Sequence, residues 1–272
     1  MSAFVDLRSL AREKAPALPP EALQEALLVH ALPTWAGRMK NEHGSARVFR
    51  HLAEQLDRAG LDGAACREFA EEERRHGVLC AAVLEALGGQ AVFVEEPCDY
   101  PLHEDASPLE AVARNVLSVC CLSETVAVAL IGAERLAMTQ GPLRDLLESI
   151  LADEIGHARF GWKLLHEIVP RLSPRERARV DRYLALAFAD LERHQLAHIS
   201  DASSPGGLAA ELGVCDGRDM RALFYRTAEE VIVPRLEDLG FAARAAWDAR
   251  RITACASSSA SSSGPGRSAP GS

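Results

Sequence analysis

The stretch EERRH at residues 72–76 is the most informative in the chain, and DEIGH at residues 153–157 repeats its spacing in a second segment. Each contains a Glu-x-x-His step in the middle of a long stretch with helical periodicity. Because a helix turns once in about 3.6 residues, the Glu and the His of one step project from the same face. Each step therefore offers a carboxylate and an imidazole to one point in space.

Two further glutamates, Glu42 and Glu124, lie on the apolar faces of the helices that precede these steps. The combined set of four carboxylates and two imidazoles is Glu42, Glu73, His76, Glu124, Glu154 and His157. Four buried carboxylates need compensating positive charge, which two divalent ions would supply. The sequence therefore predicts a two-metal site, whose oxygen and nitrogen ligands suit iron or manganese.

The fold class predicted from the sequence is all-α, with a four-helix bundle at residues 33–170. Apolar residues recur at three- and four-residue intervals over 33–59, 61–87, 107–139 and 142–169. Residues 88–107, between the second and third of these helices, contain two prolines and show no helical period. A link of this length is too long for neighbouring antiparallel helices, so it predicts one long crossover along the bundle.

Three segments flank the predicted bundle. Residues 1–32 are interpreted as a leader with a short helix over about 21–31. Residues 171–252 contain extra C-terminal helices, including a long one over about 219–251, whose apolar faces can pack on the bundle. Residues 253–272 consist almost only of Ser, Ala, Gly and Pro, which cannot form a core, so we expect a disordered tail.

Composition and charge restrict the classes of partner. The 272-residue chain has a formal net charge of −9 and a pI near 5.5, which argues against a general electrostatic grip on nucleic acid or an anionic membrane. The N-terminus has no apolar signal core and no run reaches membrane-spanning length, so we expect a cytoplasmic protein with no membrane contact. The seven cysteines contain no Cys-x-x-Cys pair, so they predict neither a disulfide framework nor a rubredoxin-type iron site.

The residues of the cluster and their spacing resemble the ferritin-like superfamily of di-metal (di-iron) carboxylate proteins over residues 33–170. In that family, two helix pairs related by pseudo-symmetry hold the metals midway along a bundle. The resemblance implies that all six residues of the cluster are metal ligands. It also implies that Glu73 and Glu154 are the bridging carboxylates and carry the catalytic role.

The resemblance extends to the residues beside the ligands. EERRH at 72–76 matches the Asp/Glu-Glu-x-Arg-His form of bacterial multicomponent monooxygenases, whereas DEIGH has Gly156 in place of the Arg. In those enzymes the acid before each ligand Glu hydrogen-bonds the imidazole of the opposite helix pair. The resemblance therefore implies that Glu72 and Asp153 fix the two histidines from outside the ligand set.

Departures from relatives narrow the activity. Ribonucleotide reductase small subunits carry a radical Tyr one turn after the first ligand His, where this chain has Cys80, so we expect no stable tyrosyl radical. Rubrerythrins have an additional Glu near the site. Glu134 lies about a quarter turn off the ligand face, so it is a poor candidate for that role and is interpreted as a solvated residue. Cys120 and Cys121 are interpreted as small buried core thiols.

The function expected from this resemblance is that of a non-haem di-iron oxidase or oxygenase. It would bind two Fe ions, and Mn or a mixed Mn/Fe pair is the alternative. With O2 and an external electron donor, it would oxidise a small or carrier-bound substrate. One alternative is a ferroxidase or peroxide-scavenging protein of the ferritin or rubrerythrin type. Another is an enzyme like the tRNA-modifying di-iron hydroxylases, although the acidic balance makes nucleic acid an unfavourable partner. The oligomeric state is open, with a homodimer as one arrangement.

Overall fold

A computed structural model of the chain describes residues 3–95, 97–98, 100–199 and 206–260, with side chains up to residue 251. This part of the chain is almost entirely helical, which confirms the all-α prediction. The α-helices and strands up to residue 168 are β1 (Phe4–Asp6), α1 (Arg8–Glu13), α2 (Glu25–Arg58), α3 (Ala64–Ala86), β2 (Val92–Val94), α4 (Pro108–Val116), α5 (Glu124–Ala137) and α6 (Pro142–Ile168), and a short 3-10 helix, Pro20–Leu23, precedes α2. A π-helical segment, Leu117–Ser123, joins α4 to α5 in one continuous helical stretch.

Helices α2 and α3 pack along each other, and α5 packs along α6. The start signals predicted from the sequence are in place, since the Ser107 side chain accepts a hydrogen bond from the Glu110 N–H and Pro108 is the first residue of α4. Gly141 and Pro142 open α6 in the same position as predicted. Local sequence signals therefore place the helices that carry the candidate site.

The break predicted before Pro33 is wrong. Helix α2 begins at Glu25 and continues through Pro33, so the short helix and the first bundle helix are one element. A proline inside a helix removes one backbone hydrogen bond. Leu27, Ala31 and Trp35 nevertheless stay on the buried stripe on both sides of it, and the burial of this stripe offsets the lost bond.

The link between α3 and α4 contains a strand that was not predicted. Val92–Val94 of β2 pairs antiparallel with Phe4–Asp6 of β1, with Val5 opposite Phe93. The apolar run at 91–94 could have indicated a strand, but its partner lies at the start of the chain, and a pairing over such a distance leaves no local signal. The pairing fastens the N-terminal segment to the link.

The C-terminal region has more breaks than predicted. Its elements are α7 (Pro174–His198), α8 (Leu208–Glu211), α9 (Gly217–Thr227), a π-helical segment (Ala228–Ile232), α10 (Val233–Asp238) and α11 (Ala243–Ala260). The single helix predicted over about 219–251 is wrong, because the chain turns at Gly240, which has a φ of +79° that favours glycine. Helix α11 runs into the stretch predicted to be disordered, and residues 261–272 of that stretch lie outside the described residues.

The expectation that no run reaches membrane-spanning length is wrong for one helical stretch. Pro108–Ala137 meets that test by length and composition alone, a test that core helices of soluble proteins also meet. Fewer than half of the residues in its most apolar window are buried. The stretch also carries the buried carboxylate of Glu124.

The polar cluster lies where two apolar cores meet. Along α3, Ala70 belongs to one core and Cys80 to the other, and Glu73 and His76 lie between them. The C-terminal helices complete the first core with large side chains such as Phe188 and Trp247. The four long helical stretches thus hold ionisable side chains inside an otherwise apolar interior.

Candidate metal centre

The structure brings all six predicted ligands together. Glu42 projects from α2, Glu73 and His76 from α3, Glu124 from the first residue of α5, and Glu154 and His157 from α6. All six are buried. The i, i+3 spacing of each Glu-x-x-His step therefore places its carboxylate and imidazole at one site, as the helical geometry requires.

The six residues form two overlapping groups of four. Glu42, Glu73, His76 and Glu154 make one group, and Glu73, Glu124, Glu154 and His157 make the other, with ligand atoms within 4.8 Å of one another in each. Glu73 and Glu154 are common to both groups. This is the arrangement expected of two adjacent cation positions that share two carboxylates.

Distances within the cluster leave space between the facing atoms. His76 Nδ1 lies 3.3 Å from Glu154 Oε1 and 3.7 Å from Glu42 Oε2. His157 Nδ1 lies 3.3 Å from Glu73 Oε1 and 3.8 Å from Glu124 Oε2. These separations are longer than most hydrogen bonds and suit atoms that ligate a common ion.

Unpartnered atoms test whether a cation fits. Buried polar atoms are nearly always hydrogen-bonded, yet His76 Nδ1, His157 Nδ1 and Glu73 Oε2 are buried and have no hydrogen-bond partner among the described residues. All three atoms belong to residues of the two groups of four. The donor set and its unsatisfied atoms therefore fit two divalent cations.

Without metal, the cluster holds protons. Burial, reinforced by the nearby charge of Glu154, raises the pKa of Glu73 well above its usual range, and burial likewise raises the pKa of Glu124. Burial alone would lower the pKa of His76, but the facing carboxylates of Glu154 and Glu42 outweigh it and raise that pKa to about 10. Protons on these groups offset negative charge that cations would otherwise balance.

The outer nitrogen of each histidine contacts an acid from the opposite helix pair. His76 Nε2 lies 2.9 Å from Asp153 Oδ2, and His157 Nε2 lies 2.9 Å from Glu72 Oε2. With Nε2–H donating to a carboxylate, Nδ1 faces the cluster and can offer its lone pair to a cation once it has lost its own proton. Asp153 and Glu72 thus lie where the resemblance placed them, and their effect on a metal remains a prediction.

Close packing between helices fixes the backbone positions next to the two ligating histidines. A Cβ added at Gly161, one turn after His157, would overlap Cys120 in the π-helical segment. A Cβ added at Gly77, next to His76, would overlap the ring of His43. Each half of the site therefore depends on a glycine that lets two helices approach closely.

The interpretation of Glu134 as a solvated residue is wrong. Its carboxylate pairs with Arg38 of α2 at 2.6 Å, and its side chain is only 13% exposed. Arg38 was missed, although it precedes Glu42 by four residues and so lies on the same helix face. Cys80, Cys120 and Cys121 are buried, and burial raises the pKa of each thiol well above its usual value.

Comparison with known proteins adds no family assignment. No family model matches the chain, and no curated protein matches it. The structure supports a helical protein with a buried acid and histidine cluster that is compatible with a two-metal site.

Proposed function

We propose that the chain is a ferritin-like di-metal carboxylate protein that acts as a non-haem di-iron oxidase or oxygenase on a small or carrier-bound substrate. One observation carries the proposal. Glu73 and Glu154 each belong to both groups of four ligand atoms, so two cations bound there would be neighbours that share carboxylates.

The residues divide into two positions. Glu42 and His76 would hold one ion, Glu124 and His157 the other, and Glu73 and Glu154 both. Two ferrous ions in such a site can together supply two electrons to O2, which is the chemistry that oxygenases of this class require. Manganese, or one ion of each kind, would also suit these ligands.

The chain itself supplies orientation and a dry environment. Asp153 and Glu72 hold the imidazoles with Nδ1 facing inward, so little reorganisation is needed when an ion binds. Both histidine side chains are completely buried, which keeps bulk water away from their side of the site. The apolar cores at both ends of the cluster limit side reactions with solvent in the same way.

The less enclosed side of the cluster faces α2 and α5. The side chains of Glu42 and Glu124 keep 12% and 8% exposure, whereas both imidazoles have none. In α5, no residue from 127 to 137 is buried, and α2 and α5 have few direct contacts. The segment at and after α8 contacts both helices near Arg38, so we place the approach of a substrate closer to Glu42 and Glu124.

The character of this opening favours an organic substrate over free iron. Ala127 and Ile131 lie one and two turns beyond Glu124 on the same face of α5, and both are partly exposed and apolar. The charged residues beside them, Arg38 and Glu134, are paired with each other. This pair leaves no net charge there to attract cations, so we prefer an uncharged organic group as the reacting part of the substrate.

The proposal is tested by loading the purified protein with Fe(II) without oxygen and then adding O2. We expect two Fe(II) per chain and uptake of about one O2 per pair of ions. A ferroxidase would release the oxidised iron or go on oxidising added Fe(II) over many cycles, whereas an oxygenase keeps its two ions. Absence of bound iron and manganese at saturating concentration would overturn the proposal.

A further inference from the structure

The two halves of the metal centre, Glu42 with His76 and Glu124 with His157, differ by one charge outside the ligand set. In the first half, Asp153 contacts His76 Nε2 and also pairs with the guanidinium of Arg75. In the second half, Glu72 contacts His157 Nε2, and no ion pair found among the described residues joins Glu72 to an Arg or Lys. The outer carboxylate is thus neutralised in one half only.

Sequence positions explain the difference. Arg75 precedes His76 by one residue, and the matching residue before His157 is Gly156. Arg74 cannot replace the missing charge at Glu72, because it pairs with Glu71. Gly156 is exposed, and a Cβ built on it would meet no atom within 4 Å, so the structure has room for a side chain there.

The ring of His157 lies in apolar surroundings. The ring of His157 packs against Phe69 and Phe49, with centroids 4.4 Å and 5.1 Å apart. Apolar surroundings weaken dielectric screening, so the charge of Glu72 acts more strongly on His157. Glu72 is 34% exposed and Asp153 22%, so solvent screens the charge of Glu72 somewhat more; the difference between the halves therefore rests on the Arg75 pair.

We propose that the two metal positions are unequal, and that the Glu124 and His157 position binds a divalent cation more tightly than the Glu42 and His76 position. The inference rests on the proposed two-metal function. A carboxylate that accepts a hydrogen bond from a ligating imidazole makes the imidazole a stronger donor. Arg75 withdraws part of this effect from His76, so Arg75 is a positioning residue that weakens its own half.

The expected difference in affinity is up to about tenfold, because complete loss of such an outer partner costs about 10–100-fold and Arg75 only weakens it. Metal loading would therefore be ordered, with the Glu124 and His157 position filled before the Glu42 and His76 position. An ordered site can also hold two different metals in defined places, which gives a physical route to a mixed Mn/Fe centre.

The test is calorimetric titration of the full chain with Mn(II), which does not require turnover. We expect two binding steps in the wild type. The Glu42→Ala variant should lose the weaker step, and Glu124→Ala should lose the tighter one. Gly156→Arg places a cation near Glu72 and should bring the two steps within about threefold of each other, whereas Gly156→Gln, with a neutral side chain of similar length, should leave them apart.

Arg75→Gln provides the reverse change, since it removes the charge and retains a hydrogen-bond donor for Asp153. It should strengthen the weaker step and leave the tighter step unchanged. Two equal steps in the wild type would overturn the inference, as would loss of the tighter step in Glu42→Ala. Failure of the wild type to bind any metal would instead contradict the proposed function, so the two failures are distinguishable.

Discussion

The first half of the site, α2 with α3, and the second half, α5 with α6, present the same ligands from different backbones. Glu42 lies inside a continuous α-helix, whereas Glu124 directly follows the π-helical segment Leu117–Ser123. π-Helical insertions in α-helices often occur at functional sites, where they change the direction of side chains. The comparison indicates that the charge and position of the ligand atoms are matched in the two halves, while the helices that carry them are not.

The closest helix contacts differ as well. Gly77 of the first half faces the ring of His43, which is a side chain that can turn aside. Gly161 of the second half faces the backbone of Cys120 in addition to its side chain. The second half is therefore less able to accommodate an added side chain at its helix contact.

Removal of a shared ligand should have the largest effect. Glu73→Ala removes a carboxylate from both positions, so we expect bound metal to fall from about two ions to fewer than one per chain, while Glu42→Ala should still retain one. Metal analysis after dialysis measures this. Glu68→Ala, an exposed acid on the same helix, is the matched control and should retain both ions. Equal losses in Glu73→Ala and Glu42→Ala would break the assignment of Glu73 to both halves.

Acid should weaken metal binding strongly. Because the facing carboxylates raise the pKa of His76 to about 10, this imidazole is doubly protonated and positively charged near neutral pH in the metal-free protein. An incoming ion must displace the proton on the nitrogen that faces the cluster. Affinity should rise by up to about tenfold per pH unit between about pH 6 and pH 8 for each proton displaced. Calorimetry in buffers of different ionisation enthalpy would count the released protons. An affinity that does not change with pH would contradict the protonated cluster.

A methyl group added at Gly161 or at Gly77, where two helices touch, should lower the free energy of unfolding by different amounts. Gly161→Ala forces a Cβ against the backbone before Glu124 and should reduce the free energy of unfolding by about 1–3 kcal/mol. Gly77→Ala should cost less, because the ring of His43 can move. Chemical denaturation of the metal-free variants measures both. A larger loss in Gly77→Ala would reverse the comparison of the two halves.

The smallest effect is expected at the exposed glycine. Gly156→Ala adds a methyl group where no atom lies within 4 Å and replaces a poor helix former in α6. It should raise the free energy of unfolding by about 0.5–1 kcal/mol. A decrease in the same denaturation experiment would show that the backbone at Gly156 needs the freedom of glycine.

The sequence predicted those features that depend on local periodicity. The Glu-x-x-His spacing located the cluster, and Ser107 and Pro142 located helix starts, because each acts within a few residues of itself. The strand pairing of β1 with β2 and the pairing of Arg38 with Glu134 were missed, since both join distant segments. Pro33 shows the reverse error, in which a strong local signal was overridden by burial on both sides of it.

The most direct test of the two-metal assignment is X-ray absorption at the iron edge of protein loaded with two Fe(II) per chain. The arrangement of shared carboxylates predicts a second iron at about 3.5–4 Å and a shell of only oxygen and nitrogen ligands, with no sulfur from Cys80 or Cys120. A spectrum without iron–iron scattering, or with sulfur in the nearest shell, would contradict it.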